Sequence, residues 1–273
     1  MGQAKLKQRG AFPAPLVEEW EAELCINFAV ALARLTNWIL HVDWWTPSTD
    51  RNADVPIEQM RPLRVYVGDN HDQVFDVRGI RSVEDFAHRT IEPLGRQYGT
   101  GGITTRFYSE EKLSELPLPG RLDERPLARA TAAIESNATF LESISKRPAG
   151  GIPAYLAATF TFGRCAVFAE ALRELTGLVP VALIADRYMP RWAGGRIGYI
   201  HSMLMHPDGS VEDVWGRSSV SEVARRFQVA EHRLSFDEHQ RVVNELKRDS
   251  PTGYERALAE AREALAAIPR VGT

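Results

Sequence analysis

The chain resembles itself, and no other feature limits its fold as much. Displaced by 140 residues, positions 12–37 lie over 152–177 without a gap. Ten of these 26 pairs are identical: Pro13/Pro153, Ala14/Ala154, Leu16/Leu156, Cys25/Cys165, Phe28/Phe168, Ala29/Ala169, Ala31/Ala171, Leu32/Leu172, Leu35/Leu175 and Thr36/Thr176. Average residue usage would supply about two. With three residues fewer in between, Val74-Phe-Asp-Val-Arg-Gly79 matches Val211-Glu-Asp-Val-Trp-Gly216, and Val83 with Ala87 matches Val220 with Ala224. Arg106-Phe-Tyr-Ser-Glu-Glu111 resembles Arg233-Leu-Ser-Phe-Asp-Glu238, and each copy ends in an Ala-rich helical pattern, at 127–144 and 254–268. Helical periodicity explains recurring Phe, Ala and Leu. It does not explain a matched Cys and a matched Asp-Val-x-Gly in the same order, so the chain reads as a tandem duplication.

A Pro- and Gly-rich stretch, Arg147-Pro-Ala-Gly-Gly-Ile-Pro153, separates the copies and places a first domain at 1–147 and a second at 148–273. The 273 residues, 44% apolar and 25% charged, can furnish a core for each. The net charge of −3 comes without a basic block that would track a phosphate backbone, which argues against nucleic acid as a partner. The weakly charged stretch 24–40 is short and contains Asn27, Arg34 and Asn37, too polar for a membrane span. The basic start is followed by no secretory apolar region, and Leu6 stands where myristoylation needs Ser or Thr. Two cysteines make no disulfide framework and suit a reducing compartment. The expected location is the cytoplasm.

In the second copy, Phe168, Ala169, Ala171, Leu172 and Leu175 recur at helical spacing from Cys165 onward, and Gly177 stands where a helix ends. Pro180-Val-Ala-Leu-Ile-Ala185 reads as a buried strand, and a Gly-rich loop, Met189 to Gly198, follows it. Tyr199 to Met205 and Val211 to Trp215 flank His206-Pro-Asp-Gly-Ser210, a hairpin signal. Helix, strand, hairpin and flanking helices describe an α+β unit with a helix packed on a small antiparallel sheet. With Pro207 to Gly209 as the hairpin loop, Met203 opposes Asp213 and His201 opposes Trp215, so His201 and Asp213 share a face as diagonal neighbours.

Cys165 begins the preceding helix, where unpaired N–H groups favour a thiolate. This is the arrangement thiol catalysis needs. Cys165 attacks an acyl carbon, His201 holds the thiol proton and returns it to the leaving group, and Asp213 fixes the imidazole. The product is a thioester, resolved by water or an amine, with the Cys165 backbone N–H as the one oxyanion donor in view.

Over about 55 residues, Gly163-x-Cys165-x-x-Phe168-Ala169, then Leu172, Leu175-Thr-Gly-Leu-Val-Pro180, His201 heading an apolar strand, Pro207-Asp-Gly209 and Asp213, the second copy resembles the transglutaminase-like branch of papain-fold cysteine enzymes. The resemblance implies two tandem papain/transglutaminase-like units, with the family's Cys, His and Asp falling on Cys165, His201 and Asp213. It implies thiol-dependent hydrolysis or acyl transfer on a protein, peptide or small amide substrate, with no cofactor. Two positions depart from the family pattern: Ser202 follows the histidine, and Asp213-Val-Trp-Gly216 replaces a Trp-rich strand entering Asp-Pro.

The first copy keeps Cys25 and Asp76, but Arg64 stands in the place of His201 and Glu23 in that of Gly163. The run from Leu16 to Leu40 has neither Gly nor Pro, so a helix is expected to pass straight through Cys25, leaving this copy chemically silent. Simpler readings stand beside these. Cys in an apolar helix face is commonly core, and the retention of Cys25 without a histidine favours that reading. Asp76 and Asp213 suit turns. Trp192 and Trp215 are candidates to line a substrate groove and equally good core aromatics. His206 points away from His201, against a zinc site with Cys165. The alternative function is a non-catalytic binding or assembly protein in which both cysteines are structural.

Overall fold

Each half of the chain folds its own five-stranded antiparallel sheet. The computed structural model describes residues 10–21, 24–50, 55–147, 151–190 and 195–268. Its two compact units are Met1–Ala149 and Gly150–Thr273. The first sheet contains β1 (Ile39–Thr46), β2 (Arg61–Gly68), β3 (Gln73–Asp76), β4 (Gly79–Ser82) and β5 (Gly102–Tyr108), ordered β4-β3-β2-β1-β5. The second contains β6 (Val179–Tyr188), β7 (Gly198–Met205), β8 (Val211–Asp213), β9 (Gly216–Ser218) and β10 (Val229–Ser235). Read from β9, its order is β9-β8-β7-β6-β10, the same connectivity.

The correspondence extends to individual residue pairs. Ile39 pairs with Gly68 as Val179 pairs with Met205, Val67 with Phe75 as Leu204 with Glu212, and Asp76 with Gly79 as Asp213 with Gly216. The register slips after Asp43 in β1 and after the equivalent Leu183 in β6. A bulge re-aims every side chain beyond it, so two sheets bulged at one position present equivalent residues equivalently. The outer strands depart from this rule. Val42 faces Arg106 while its equivalent Ala182 faces Ser235, so the Arg106 and Arg233 segments that look alike in sequence sit out of register by two residues.

In each unit a central helix packs on the sheet. In the first it is Cys25–Thr36, buried with Val42, Trp44, Val65, Val67 and the Ala130 and Ile134 face of a later helix, Glu124–Ser136. In the second it is Cys165–Thr176, buried with Phe160, Leu204, Val214 and the Ala257, Leu258 and Ala261 stripe of the helix Pro251–Ala266. The opposite face of the second sheet carries Val181, Leu183, Met203 and Val211 against Val223 and Ala224 of the helix Val220–Arg226. Alternation along β7 thus sends Met203 and Leu204 to different layers.

Three sequence expectations need correction. The helix expected to run through Cys25 is broken: one helix spans Ala14–Glu21 and the next starts at Cys25 itself. Helix-forming residues permit continuity but do not impose it, and here burial of Trp20 and Phe28 in one cluster favours two segments meeting at an angle. Glu23 lies outside the described residues. Second, β8 stops at Asp213, so Trp215 does not oppose His201. The Asp213 carboxylate accepts the Trp215 backbone N–H at 2.9 Å and turns the chain toward Gly216, whose φ is 97°. Third, the Ala-rich stretch ending the first copy is divided at Asn137 into Glu124–Ser136 and Ala138–Leu141.

Both central helices end in the left-handed conformation, at Asn37 (φ 59°) and Gly177 (φ 72°), with the cap N–H bonded back to Ala33 O and Arg173 O. A Cβ added to Gly177 would meet nothing within 4 Å, so backbone conformation alone opposes a side chain there. Gly177→Ala is expected to lower the stability of the second unit by about 1 kcal/mol in urea unfolding, and Gly177→Asn by less.

Candidate functional site

The second unit brings Cys165, His201 and Asp213 to one buried place. Gly163, at φ 121°, lets the chain leave the helix Ala154–Thr161 and begin a new one two residues later, which a Cβ-bearing residue would resist. Cys165 is the first residue of that new helix, and the preceding Arg164 supplies no side-chain cap. The N–H groups of the first turn therefore keep their positive end toward the sulfur. The Tyr199 hydroxyl lies 3.2 Å from Sγ, and the Ser202 backbone N–H also favours the ionised sulfur.

His201 Nε2 is 2.9 Å from Asp213 Oδ2, the contact expected from the hairpin register. The same carboxylate oxygen accepts from Arg226 at 2.5 Å, and Oδ1 from the Trp215 N–H. Phe227 lies against the imidazole face, with ring centroids 4.9 Å apart. His201 is 1% exposed and Asp213 5%, so these charges are taken out of water and depend on one another. The other imidazole nitrogen, Nδ1, makes no well-formed hydrogen bond, and the Cys165 sulfur is the further group that acts on the ring. The sulfur-to-ring contact is thus the loose one.

Electrostatics make the assignment sharper. Burial alone pushes the Cys165 thiol up, but the positive His201 ring beside it, the Tyr199 hydroxyl and the Ser202 backbone N–H outweigh it and hold the thiol below its ordinary 9.0. Burial pulls His201 down, yet the thiolate and Asp213 raise it to about 9. Asp213 is held below the usual carboxylate range because His201 and Arg226 overcome its burial. The balance shifts Cys165 toward the thiolate and His201 toward the imidazolium.

The first unit presents the same three positions with different chemistry. Cys25 starts its helix, Arg64 sits opposite Asp43 as His201 sits opposite Leu183, and Asp76 accepts the Arg78 N–H at 2.9 Å as Asp213 accepts that of Trp215. A helix terminus is therefore present, contrary to expectation. It does not activate the thiol. Burial raises Cys25 above 9.0 despite backbone hydrogen bonds and the Arg64 charge, and the residue packs in the apolar cluster with Ile26, Phe28 and Val65. Arg64 turns to the Glu21 backbone carbonyl, while Arg81 binds Asp76. A cavity of only about 10 Å³ adjoins Cys25, room for one water and no substrate.

Of the two tryptophans considered for a substrate groove, Trp192 lies outside the described residues. Trp215 is half-buried, its indole N–H donating to Thr161 Oγ1 at 2.6 Å, so it ties the Asp213 turn to the helix before Cys165. His206 pairs with Glu212 at 2.8 Å, away from the sulfur. Sequence reasoning did not single out Tyr199, Arg226 or Phe227. The position of Tyr199 two residues before His201 was a usable signal; Arg226 and Phe227 arrive from a helix whose docking no local pattern discloses. Among the described residues no group of three or more His, Cys, Asp and Glu is placed to hold a metal, and no helix is long and apolar enough to cross a membrane.

Comparison of the chain with protein-family models, with curated proteins and with solved structures found no match.

Two outcomes follow from the buried charges. Arg226→Met leaves Asp213 with His201 as its one cationic partner and is expected to cost about 2 kcal/mol, short of the roughly 3 to 5 kcal/mol of a fully orphaned charge, read by chemical unfolding. Asp213→Asn should lower the His201 titration midpoint by at least about one unit in an NMR titration. The sign for stability runs both ways. His201, raised from 6.5 to about 9, contributes stability that is full below pH 6.5 and lost as pH rises through about 9. Cys165, lowered from 9.0, contributes stability that is full above 9.0 and lost as pH falls through its depressed midpoint. The slopes oppose each other, so across neutrality each group should offset part of the other's contribution to the unfolding free energy of the second unit, read by urea unfolding at several pH values.

Proposed function

We propose that the second unit is a thiol-dependent acyl-transfer enzyme of the transglutaminase-like or papain-like kind, acting on an amide or peptide bond. The single observation that carries this reading is the contrast between two cysteines at equivalent helix starts. The one beside a histidine has its thiol drawn down toward ionisation, and the one beside an arginine has its thiol pushed up. Packing alone gives no reason for that difference.

In this mechanism the Cys165 thiolate attacks the acyl carbon and forms a C–S bond. His201, protonated at neutral pH, gives its Nδ1 proton to the departing amine as the C–N bond breaks. Asp213 keeps Nε2–H engaged, so the ring stays in one orientation through both proton transfers. Water, or an amine of a second substrate, then displaces the sulfur, with His201 now acting as base. The helix N-terminus and the Cys165 backbone N–H supply positive potential for the tetrahedral oxyanion. A guanidinium offers no acceptor nitrogen, so Arg64 serves in no such cycle. The first unit is accordingly proposed as a silent copy in a tandem papain/transglutaminase-like arrangement. A reducing, cytoplasmic setting would keep Cys165 free.

Cys165 is 6% exposed and covered by Tyr199, so acylation requires the tyrosine to swing aside. The chain just before the sulfur is open to solvent, with Phe162 55% exposed. The same burial is what favours a second reading, an assembly protein with structural cysteines.

Site-resolved iodoacetamide labelling separates the two. The enzyme reading predicts Cys165 alkylation at neutral pH at least about 100-fold faster than that of Cys25, most of the advantage lost in His201→Ala. It also predicts a thioester on Cys165 when an activated ester is supplied, visible by intact mass and absent in Cys165→Ala. Equal slow labelling of both cysteines with no acyl adduct would establish the scaffold reading instead.

A further inference from the structure

Beside the triad the second unit buries a further chain of polar groups that the acyl-transfer steps do not use. Tyr199 Oη, 3.2 Å from Cys165 Sγ, is 2.9 Å from Ser202 Oγ. Ser202 Oγ is 2.9 Å from His239 Nδ1, and His239 Nε2 is 3.0 Å from Glu170 Oε1. Glu170 Oε2 is held in turn by Arg173 at 2.8 Å. Ser202 is 2% exposed, His239 0% and Glu170 5%. The members come from three elements: Glu170 from the helix that Cys165 starts, Tyr199 and Ser202 from β7, and His239 from the helix Phe236–Asp249. A polar chain this deeply buried is costly unless every contact contains a proton.

Counting those protons gives two complete arrangements. In the first, Sγ–H donates to Tyr199, Tyr199 to Ser202, Ser202 to His239 Nδ1, and His239 Nε2–H to Glu170. In the second, His239 Nδ1–H donates to Ser202, Ser202 to Tyr199 and Tyr199 to a thiolate, with Nε2–H still on Glu170. Both hold four protons. They differ by a relay in which S–H breaks as Tyr199 O–H re-forms, each hydroxyl passes its own proton on, and an N–H forms on His239. A thiolate facing a His239 that lacks the Nδ1 proton leaves one of the four contacts with two lone pairs and no hydrogen.

We infer that His239, held by Glu170, is a positioning residue for the nucleophile: through Ser202 and Tyr199 it sets the direction of the hydroxyl chain, and with it the ionisation of a thiol it never touches. The inference rests on the reading of Cys165 as a nucleophile and adds a division of labour. His239 takes the thiol proton, and His201 keeps its own for the leaving group. The charged and titratable neighbours of the chain are Glu170 with Arg173, Lys247 and Tyr254 around it, and Glu238, paired with Arg241, near Tyr199.

The test is the pH dependence of iodoacetamide alkylation at Cys165 in the full chain, resolved from Cys25 by peptide mapping. Tyr199→Phe, Ser202→Ala and His239→Gln should each raise the thiol midpoint by about half to one unit, so that alkylation below the midpoint slows about three- to tenfold. Tyr199→Phe combined with His239→Gln should go no further than Tyr199→Phe alone, because both cut one chain. Ser202→Ala removes a single oxygen, leaves His239 on Glu170, and keeps the test readable if His239→Gln does not fold. A midpoint that moves in Tyr199→Phe but stays in place in Ser202→Ala overturns the relay while leaving the triad intact. Alkylation unaffected by His201→Ala instead overturns the triad reading, and the Ser202→Ala midpoint still decides the relay.

Discussion

The site hangs on a carboxylate that is almost entirely removed from water. Asp213 satisfies that burial with three donors, the His201 ring, the Arg226 guanidinium and the Trp215 backbone N–H, each from a different part of the second unit. Placing the three together requires the β7–β8 register, the turn after β8 and the docked helix Val220–Arg226 at once. A shift of one residue in the hairpin would turn His201 to the other face and strand the charge. The requirement that holds the ring in place is therefore also what fixes the local fold.

The first unit shows what the same frame does when one residue changes. It retains a cysteine at a helix start and a buried aspartate bonded to the backbone two residues on, and it has an arginine where the ring would be. There Arg64 donates to the Glu21 carbonyl while Arg81 holds Asp76, and a guanidinium does not exchange a proton near neutrality as an imidazole does. The consequence reaches the sulfur. Cys25 sits among hydrocarbon and is pushed up, while Cys165 faces a ring, a phenol and an amide N–H and is drawn down. Two nearly equivalent backbones thus hold two different thiols.

Much of this was legible in the sequence because it is local or repeated. The displacement of 140 residues anticipated the shared strand order, and Pro207-Asp-Gly209 fixed the pairing that puts His201 within reach of Asp213. Gly163 and Gly177 marked both ends of the Cys165 helix. What escaped depends on tertiary placement. The break before Cys25 has no Gly or Pro to announce it, because it comes from how two apolar helices pack. Arg226 looks like its neighbour Arg225, a surface arginine at the end of a helix, and only docking makes it 8% exposed against Asp213. His239 and Glu170 are 69 residues apart and look like ordinary helix residues until two elements bring them together. Trp215 falls outside the strand that the alternation suggests for it, because the Asp213 side chain ends β8 by capturing the Trp215 N–H.

The central claim is that one of two equivalently placed sulfurs is ionised by its surroundings and the other is not. Cysteine labelled at Cβ, followed by NMR through a pH titration of the native chain, reads both sulfurs in one sample without a reagent having to reach them. The account predicts that the Cys165 resonance already shows the thiolate shift at neutral pH, while Cys25 remains a thiol beyond pH 9.0. Two resonances that titrate together at or above 9.0 would contradict it.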